Sequence, residues 1–537
     1  MLSAENFDTL LIRFLMPTLH FKGKTFVQNH HLAVQYHQLV PKKERSLTDN
    51  VSLHDNLIIQ GDNLKALKAL LPTYAGKVKC IYIDPPYNTG NENWVYNDNV
   101  NSPMLKEWLG KVVDKEDMTR HDKWLCMMMP RLKLLKELMQ EEGVLFISID
   151  DNEEATSRLL LDEIFGYENF MGKLPRRTKS GGGSAASDFA IEHDYVIAYA
   201  KNKAELPRLF VPHDPDYATR YKEEDKDGKY FWDTMERSST ATKPYEITAP
   251  DGEILIGKWF RSKETFLSDL EKGEVRFLKK KDGKWSVQFK QRMGNGRKLR
   301  SLIETEFKSN QAEYEEFGIK QKFDYPKPVS LIKELIQVST ESGDIILDSF
   351  AGSGTTAHAV LELNKEDGGN RKFILVEQEE YANTITAERV RRVIAGVKSA
   401  RSENLREGTG GTFSYFELGP AIEMESLLRG ETLPSYEELA RYIFYTATGE
   451  EFGEKKINRN TNFIGETAHY ELYMLYKPDI DWLKQNALTL DGVRGMPKYA
   501  GKQRLVFAPA KYVDDYTLLE HRIDFCQLPY EIYRIQK

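Results

Sequence analysis

One segment of the chain places a carboxylate, two prolines and an aromatic ring side by side. Asp84, Pro85, Pro86 and Tyr87 directly follow the apolar residues 80–83. The prolines stop a strand and hold its end rigid, so Asp84 and the Pro85 carbonyl become fixed hydrogen-bond acceptors beside the Tyr87 ring. Such acceptors suit an aromatic amine, which is a poor nucleophile until both of its N–H groups are held. Taken alone, a proline turn with an exposed tyrosine explains the same residues.

A second segment has the composition of a nucleotide-binding turn. It runs from Asp348 to Ala357 and contains Gly352 and Gly354, which let the backbone approach a ligand closely. Glu377 ends the next apolar run, 23 residues after Gly354, a spacing typical of a carboxylate that accepts hydrogen bonds from ribose hydroxyls. The same glycine spacing fits an NAD-dependent oxidoreductase. A tight strand-to-helix connection is the alternative without a ligand.

The elements around both segments alternate between apolar runs and helical patterns. Residues 57–150 and 326–400 contain short, continuous apolar runs separated by amphipathic stretches, which is typical of buried parallel strands linked by helices. The sequence therefore predicts an α/β fold with a doubly wound, Rossmann-like sheet that an insertion splits in two. Because Asp84, the Gly-rich segment and Glu377 all follow apolar runs, we expect them at the carboxyl edge of that sheet, where ligands bind.

Changes in composition divide the chain into five parts. Residues 1–50 are predicted to form an N-terminal helical arm. Residues 51–171 and 321–404 should form the two halves of the sheet, on either side of an inserted module at 172–320. Residues 405–537 should form a small mixed α/β domain. The inserted module begins with a Ser/Gly-rich stretch and continues as strand-like pieces between charged loops. The two chemically informative segments therefore lie in different halves of one sheet.

The overall composition is that of an ordinary globular chain. It has 537 residues, 40% of them hydrophobic, and a formal net charge of −7, so a uniformly basic nucleic-acid coat is excluded and any DNA surface is a local patch. No stretch has the uninterrupted apolar length of a membrane helix, and charged residues interrupt the apolar positions of residues 1–20. We expect a cytoplasmic protein without membrane contact. The cysteines are too widely spaced for a metal site, and no metal is predicted.

The two segments together resemble the amino-methyltransferases that act on DNA. That family has a catalytic motif of Asp, Asn or Ser followed by Pro-Pro and an aromatic residue, and a cofactor motif that contains Phe-x-Gly-x-Gly. Here these correspond to Asp84–Tyr87 and Phe350–Gly354. The catalytic motif comes first in the chain, as in the permuted beta group of the family. The resemblance implies S-adenosylmethionine (AdoMet) as the cofactor, and an NAD-dependent enzyme has no use for this pair of motifs.

The resemblance also assigns roles to individual residues. It implies that Asp84, Pro85, Pro86 and Tyr87 form the catalytic turn, which holds a base that has left the duplex. The implied cofactor-binding residues are Asp62, Asp84, Tyr325, Lys327, Asp348, Phe350, Ala351, Gly352, Ser353, Gly354, Thr355 and Glu377. Asp rather than Ser at position 84 favours the N6 amine of adenine as the methyl acceptor, with the N4 amine of cytosine as the alternative.

Longer stretches resemble the modification (Mod) subunit of type III restriction-modification systems. They are DPPYNTG at 84–90, GDNLKAL at 61–67, and FAPAKYV and LPYEIY at 507–513 and 528–533. The resemblance implies double-stranded DNA as the substrate, a homodimer, and a separate restriction (Res) subunit as a partner, since no ATPase motif is present. A non-catalytic DNA-specificity subunit is the non-enzymatic alternative. The aromatic residues of 405–537 are predicted either to form an interface or to fill that domain's own core.

Basic residues in the predicted module are the candidates for contact with DNA. The resembled family carries its target-recognition domain there, and lysine and arginine side chains bind phosphates whatever the base sequence. The predicted DNA contacts are Arg176, Arg177, Lys179, Lys279, Lys280, Lys281, Arg292 and Arg297.

Overall fold

The computed structural model describes most of the chain. The described residues are 18–89, 119–178, 189–207, 209–211, 213, 215–236, 244–294, 296, 298–303, 314–319, 321, 323–422, 433–450 and 452–528. Predictions that concern residues 1–17, Lys179 and Arg297 lie outside them. Among the described residues, no helix combines the length and the apolar character that crossing a membrane requires.

The strands and helices have the following bounds. The strands are β1 (His37–Pro41), β2 (Leu57–Gln60), β3 (Val78–Ile83), β4 (Met139–Ile149), β5 (Phe170–Arg177), β6 (His193–Ala200), β7 (Glu223–Asp225), β8 (Gly228–Thr234), β9 (Tyr245–Thr248), β10 (Ile254–Gly257), β11 (Val275–Lys279), β12 (Trp285–Arg292), β13 (Ile345–Asp348), β14 (Lys372–Glu377), β15 (Ser414–Ala421), β16 (Phe463–Glu466), β17 (Tyr470–Met474), β18 (Leu488–Thr489), β19 (Gln503–Ala508), β20 (Lys511–Tyr512) and β21 (Ile523–Gln527). The α-helices are α1 (Lys24–Val27), α2 (His30–Ala33), α3 (Asn63–Tyr74), α4 (Arg120–Leu138), α5 (Glu154–Phe165), α6 (Pro215–Ala218), α7 (Lys263–Glu271), α8 (Val329–Ser339), α9 (Thr355–Asp367), α10 (Glu388–Ala395), α11 (Glu403–Glu407), α12 (Tyr436–Thr448), α13 (Ile480–Gln485), α14 (Leu490–Arg494) and α15 (Asp515–Glu520). A π-helical turn, Asn383–Ala387, directly precedes α10.

Nine strands form the main sheet, in the order β1-β15-β2-β14-β13-β3-β4-β6-β5. The six strands from β15 to β4 are parallel, whereas β1 and β6 run antiparallel to their neighbours. A mostly parallel sheet whose connections contain helices is α/β architecture, and the predicted fold class is confirmed. The described part of the predicted N-terminal arm contains the short helices α1 and α2 and then β1, a strand at one edge of this sheet.

The strand order reverses between β13 and β3. The chain continues from β13 through α9 to β14 on one side, and from β3 through α4 to β4 on the other. Strands that diverge in this way leave a crevice at their carboxyl ends, which is the usual ligand site of such sheets. The turn after β3 begins at Asp84 and β13 ends at Asp348, so the two segments singled out in the sequence lie at neighbouring strand ends.

Burial explains why the central strands are continuous apolar runs. All six residues of β3 are buried, as expected for a strand that is covered on both faces. Helix α8 turns the residues Leu331, Ile332, Leu335 and Ile336 toward the interior, a spacing that places them on one side of a helix. Each such side chain stabilises the fold by about 1.5–3 kcal/mol relative to exposure.

Residues 208–299 form a compact unit of their own. It contains a four-stranded sheet in the order β11-β12-β8-β7 and a two-stranded sheet of β9 and β10. Its core includes Met235, Trp259, Phe266 and Phe289. The unit is narrower than the predicted module of 172–320, because β5 and β6 pair with each other and β6 pairs with β4 of the main sheet.

The C-terminal region contributes to the main sheet before it forms a sheet of its own. β15 lies between β1 and β2, whereas β16, β17, β19 and β21 form a second four-stranded sheet. The aromatic residues that the sequence offered as interface or core are buried within this chain: Phe413, Tyr415, Phe416, Tyr442 and Phe444 fully, and Tyr445 in part. They fill the chain's own core, so the homodimer stays a prediction that rests on the resemblance.

Candidate active site

Hydrogen bonds from two neighbouring elements hold the catalytic turn. The Pro86 carbonyl accepts a hydrogen bond from Trp124 Nε1, on α4, at 2.8 Å. Asn88 has a φ of 59°, a left-handed conformation that asparagine tolerates better than most residues. Its buried side chain donates to the carboxylate of Glu153, the residue before α5. The turn is therefore tied at two points on either side of Tyr87.

Glu153 is itself held by several donors. The Nδ1 atom of His121 lies 2.7 Å from Glu153 Oε1, and the Thr156 hydroxyl donates to the same carboxylate. Burial raises the pKa of Glu153, and the hydrogen bonds from Thr156, Asn88 and His121 oppose that rise. No motif in the sequence points to Glu153, because its partners Asn88 and His121 are more than 30 residues away along the chain.

Lys327 binds the catalytic turn directly. Its Nζ atom lies 2.8 and 2.7 Å from the two carboxylate oxygens of Asp84 and 2.8 Å from the Tyr87 hydroxyl. It also lies 4.7 Å from the centroid of the Tyr87 ring. Burial, and then the charge of Asp84, raises the pKa of Tyr87 well above its ordinary value, so the hydroxyl stays protonated. The resemblance assigned Lys327 to the cofactor, whereas its hydrogen-bond partners here are Asp84 and Tyr87, which the resemblance assigned to the catalytic turn.

The Gly-rich turn between β13 and α9 has glycine where a side chain would collide. Gly352 and Gly354 have φ values of 51° and 81°, which favour glycine. A Cβ atom on Gly352 would lie 3.1 Å from the Phe323 ring, and one on Gly354 would lie 3.1 Å from the carbonyl oxygen of Thr386. The turn therefore packs closely both against the segment before α8 and against the π-helical turn.

Glu377, the last residue of β14, is hydrogen-bonded to the Gly-rich turn. Its Oε2 accepts from the backbone N–H of Gly352 at 2.7 Å, and its Oε1 accepts from the backbone N–H of Glu379 at 3.0 Å. A carboxylate offers about four lone-pair sites, so both oxygens keep capacity for further donors. Burial raises the pKa of Glu377 to about 7.

Asp348, the last residue of β13, is a second buried carboxylate at this edge of the sheet. It accepts hydrogen bonds from Thr356 Oγ1 at 2.5 Å and from the Phe350 backbone N–H at 3.0 Å. Burial is the main reason that the pKa of Asp348 rises to about 7, and the charges of Asp84 and Glu377 add to it. When ionised, Asp348 and Glu377 favour a cationic ligand over an anionic one, whereas the charge of Asp84 is paired with Lys327.

A buried arginine supports the Gly-rich turn. Arg389 on α10 donates to the hydroxyls of Ser353 at 2.9 Å and Thr355 at 2.8 Å, and it contacts His358 Nδ1 at 3.2 Å. The side chains of Ser353 and Thr355, both predicted to bind the cofactor, are thus engaged with the protein. No local pattern pointed to Arg389, which lies more than 30 residues further along the chain.

Two other predicted cofactor residues, Asp62 and Tyr325, follow β2 and precede α8 respectively. Asp62 follows β2 and caps α3 by accepting a hydrogen bond from the Lys65 backbone N–H at 3.0 Å. The neighbouring Gly61 donates its backbone N–H to the Glu377 carbonyl at 2.9 Å. Tyr325 has a φ of 57° and a ring that is 91% exposed. Contact of Asp62 or Tyr325 with a cofactor stays a prediction.

Two of the predicted DNA contacts are ion-paired within this chain. Arg176 is buried, and its Nε donates to Asp194 at 2.8 Å as one half of a forked ion pair. Arg292 is bound by Asp225 Oδ1 at 2.6 Å and by Glu274. Both guanidinium groups are held by carboxylates of this chain, so phosphate contact by either one would have to break an ion pair. Their contact with DNA stays a prediction.

Of the other predicted DNA contacts, two are ion-paired on the surface and two are exposed. Lys279 pairs with Asp251 at 2.9 Å and Arg177 with Glu192 at 3.6 Å. Lys280 and Lys281, in the turn between β11 and β12, are exposed. The latter two remain the best-placed candidates for phosphate contact in this unit.

Comparisons with known proteins give a consistent picture. Residues 78–388 match the family model described as DNA methylase. The chain is 32% identical, over 74% of its length, to the Mod subunit of the type III restriction-modification enzyme StyLTI of Salmonella typhimurium, and 34% identical, over 61% of its length, to the EcoPI Mod subunit of Escherichia phage P1. It covers 65% and 58% of those two proteins, which is less than two thirds of their length. It is also 34% identical, over 59% of its length, to the type II methyltransferase M.KpnI of Klebsiella pneumoniae, and it covers 79% of that protein.

Solved structures align less closely. The PvuII DNA methyltransferase (cytosine-N4-specific) aligns with 11% identity over 64% of this chain and 89% of its own, with a TM-score of 0.35. The M1.HpyAVI–SAM complex aligns with 15% identity over 62% of this chain and 98% of its own, with a TM-score of 0.29. TM-scores this low carry no argument, and the description of the fold rests on the sheet topology alone.

Proposed function

Because the chain belongs to the DNA methylase family, we propose that it transfers a methyl group from AdoMet to the N6 amine of adenine in duplex DNA. The observation that carries the proposal is the crevice at the ends of β3 and β13. A turn with fixed acceptors and an aromatic ring begins there at Asp84, and a Gly-rich turn with the buried carboxylate of Glu377 stands beside it.

The residues of the crevice fit AdoMet. A Cβ at Gly352 or Gly354 would meet a neighbour at 3.1 Å and would have an unfavourable positive φ, and Glu377 keeps acceptor capacity for ribose hydroxyls. The carboxylate of Asp348, when ionised, complements a positive charge. When bound, AdoMet supplies the methyl group on a positively charged sulfonium. Asp62, Asp348 and Glu377 would hold the cofactor, together with the Gly-rich backbone.

The catalytic turn acts on the acceptor amine in this proposal. The target base leaves the duplex and stacks on the Tyr87 ring. The Asp84 carboxylate accepts one N–H of the amine and the Pro85 carbonyl accepts the other, which aims the nitrogen at the methyl group. The nitrogen gains the methyl group and loses one proton. That proton can leave to solvent, so the reaction needs no general base.

A genome assay tests both the activity and the base. The chain is expressed in a bacterium that lacks DNA methylation, and its genome is sequenced for modified bases, with Asp84→Ala as the matched control. We expect N6-methyladenine at one recurrent sequence in cells with the wild-type chain and none in cells with the variant. N4-methylcytosine instead would establish the alternative substrate. A genome without modified bases would refute the methyltransferase proposal.

We further propose that the chain acts as the modification subunit of a type III system, on double-stranded DNA and with a separate Res subunit. The identity to two Mod subunits supports this assignment, and the similar identity to a type II methyltransferase is the competing observation. Light scattering of the full chain, alone and mixed with a type III Res subunit, tests it. We expect the mass of two chains and then a larger complex. A monomer would refute the dimer, and the lack of a complex would favour a solitary methyltransferase.

A further inference from the structure

Lys327 is bound to Asp84 and Tyr87, the two side chains that hold the target base in the proposed function. Its ammonium is bound to both oxygens of Asp84 and to the Tyr87 hydroxyl, and it lies 4.7 Å from the centroid of the Tyr87 ring. An ammonium carries three donors and no acceptor, and these contacts satisfy all three donors. Both oxygens of Asp84 and the hydroxyl of Tyr87 are therefore hydrogen-bonded to a residue of the same chain.

The contacts of this ammonium are the ones that an aromatic amine would need. The N6 amine of adenine is a donor that has to reach Asp84, and its ring has to stack on Tyr87. The Lys327 ammonium uses that carboxylate and lies at the hydroxyl end of that ring. Since both groups cannot occupy one position, the lysine has to move before the base can enter.

Charge gives a second reason for the lysine to leave. The acceptor nitrogen becomes positive as it gains the methyl group, until it loses its proton. A lysine ammonium on the same carboxylate would repel that charge, and the repulsion is strong in a site where both groups are largely shielded from water. The side chains of Lys327 and Asp84 are only 13% and 25% exposed.

We propose that Lys327 is a displaceable internal occupant of the target-base position: it orients Asp84 and Tyr87 in the free enzyme, and the flipped base has to displace it. This inference rests on the proposed function. It makes Lys327 a positioning residue whose removal helps the base to enter. It differs from a cofactor role, in which the removal of Lys327 would weaken AdoMet binding.

The test uses a fluorescent base next to the target adenine. Once the genome assay has identified the recognised sequence, a duplex is made with 2-aminopurine beside the target adenine. Its fluorescence rises when the adenine leaves the stack, and the duplex is titrated with full-length enzyme without AdoMet. Lys327→Met removes the charge and keeps the length of the side chain. Lys333→Met, on α8, removes a lysine that pairs with Glu366 at 2.7 Å outside the site and serves as the control.

We expect Lys327→Met to raise the 2-aminopurine fluorescence at saturation at least threefold over wild type, with Lys333→Met unchanged. We also expect calorimetry to give an AdoMet affinity for Lys327→Met that is equal to or tighter than that of wild type, because a nearby positive charge has been removed. Unchanged or lower fluorescence would overturn the proposal, and so would a tenfold loss of AdoMet affinity.

A second variant keeps the proposal testable if Lys327→Met does not fold. Tyr87→Phe removes one acceptor of the ammonium and keeps the aromatic face, so it should also raise the fluorescence, by less. No rise in that variant would overturn the proposal. Failure of the proposed function is recognised separately, because the wild-type chain would then leave the genome unmodified.

Discussion

The raised pKa values of the two buried carboxylates predict that cofactor binding depends on pH. Glu377 and Asp348 each have a pKa of about 7, mainly because burial disfavours the charged form. A cationic cofactor whose ribose donates to Glu377 binds the ionised form. A single group of this kind is about nine-tenths protonated at about pH 6 and one-tenth protonated at about pH 8, so the affinity should rise about tenfold over that interval, or about 1.4 kcal/mol. Both groups together give up to about a hundredfold.

Glu377→Gln is the perturbation that isolates one of the two groups. The amide keeps the size of the side chain but cannot ionise, so the rise in affinity should shrink to the roughly tenfold contribution of Asp348. AdoMet affinity is measured by calorimetry at about pH 6, 7 and 8 at constant ionic strength. Two buffers with different ionisation enthalpies count the protons released on binding, which should fall by half in the variant. A flat affinity for the wild-type chain, or full pH dependence in Glu377→Gln, would refute the reasoning.

The same pKa shifts act on stability in a defined direction. The folded state holds protons on Asp348 and Glu377 that the unfolded state releases above the ordinary pKa values of 3.8 and 4.5. The stabilising contribution is therefore complete below about pH 4 and is lost as the pH rises through the folded pKa of about 7. Glu377→Gln should lessen this loss in urea unfolding followed between those limits, and an equal loss in variant and wild type would contradict the assignment.

Three further predictions concern other parts of the chain. Gly352→Val should weaken AdoMet binding more than tenfold, because a Cβ at that position meets the Phe323 ring; unchanged calorimetric affinity would show that the turn does not bind the cofactor. Neutralising the exposed Lys280 and Lys281 with glutamine should lower the slope of log affinity for DNA against log salt by about 2, whereas Lys279→Gln, whose ammonium is already paired, should change it less; equal slopes would move the DNA surface elsewhere. Arg176→Met should lower the free energy of unfolding by about 3–5 kcal/mol, because it leaves the buried carboxylate of Asp194 without its partner. A urea midpoint like that of wild type would show that this ion pair does not stabilise the fold.

The sequence was sufficient wherever the chemistry is local. The turn at Asp84 and the Gly-rich turn each need particular residue types in consecutive positions, since proline stops a strand and glycine permits a left-handed backbone. Continuous apolar runs were enough to predict a buried parallel sheet, because a strand covered on both faces has no polar side. The coexistence of both turns in one chain was by itself enough to favour a methyltransferase over an NAD-dependent enzyme.

The tertiary structure decided which distant residues meet and which charges are free. Lys327 binds Asp84 across 243 residues of sequence, and a basic pattern cannot reveal that Arg176 is buried against Asp194. The sequence pattern also could not reveal that β5 and β6, which fall within the predicted module, pair with the main sheet. The physical reason is the same in each case. A side chain's partner, burial and pKa depend on what the fold brings within a few ångströms, and that information is not carried by residue type or by local spacing.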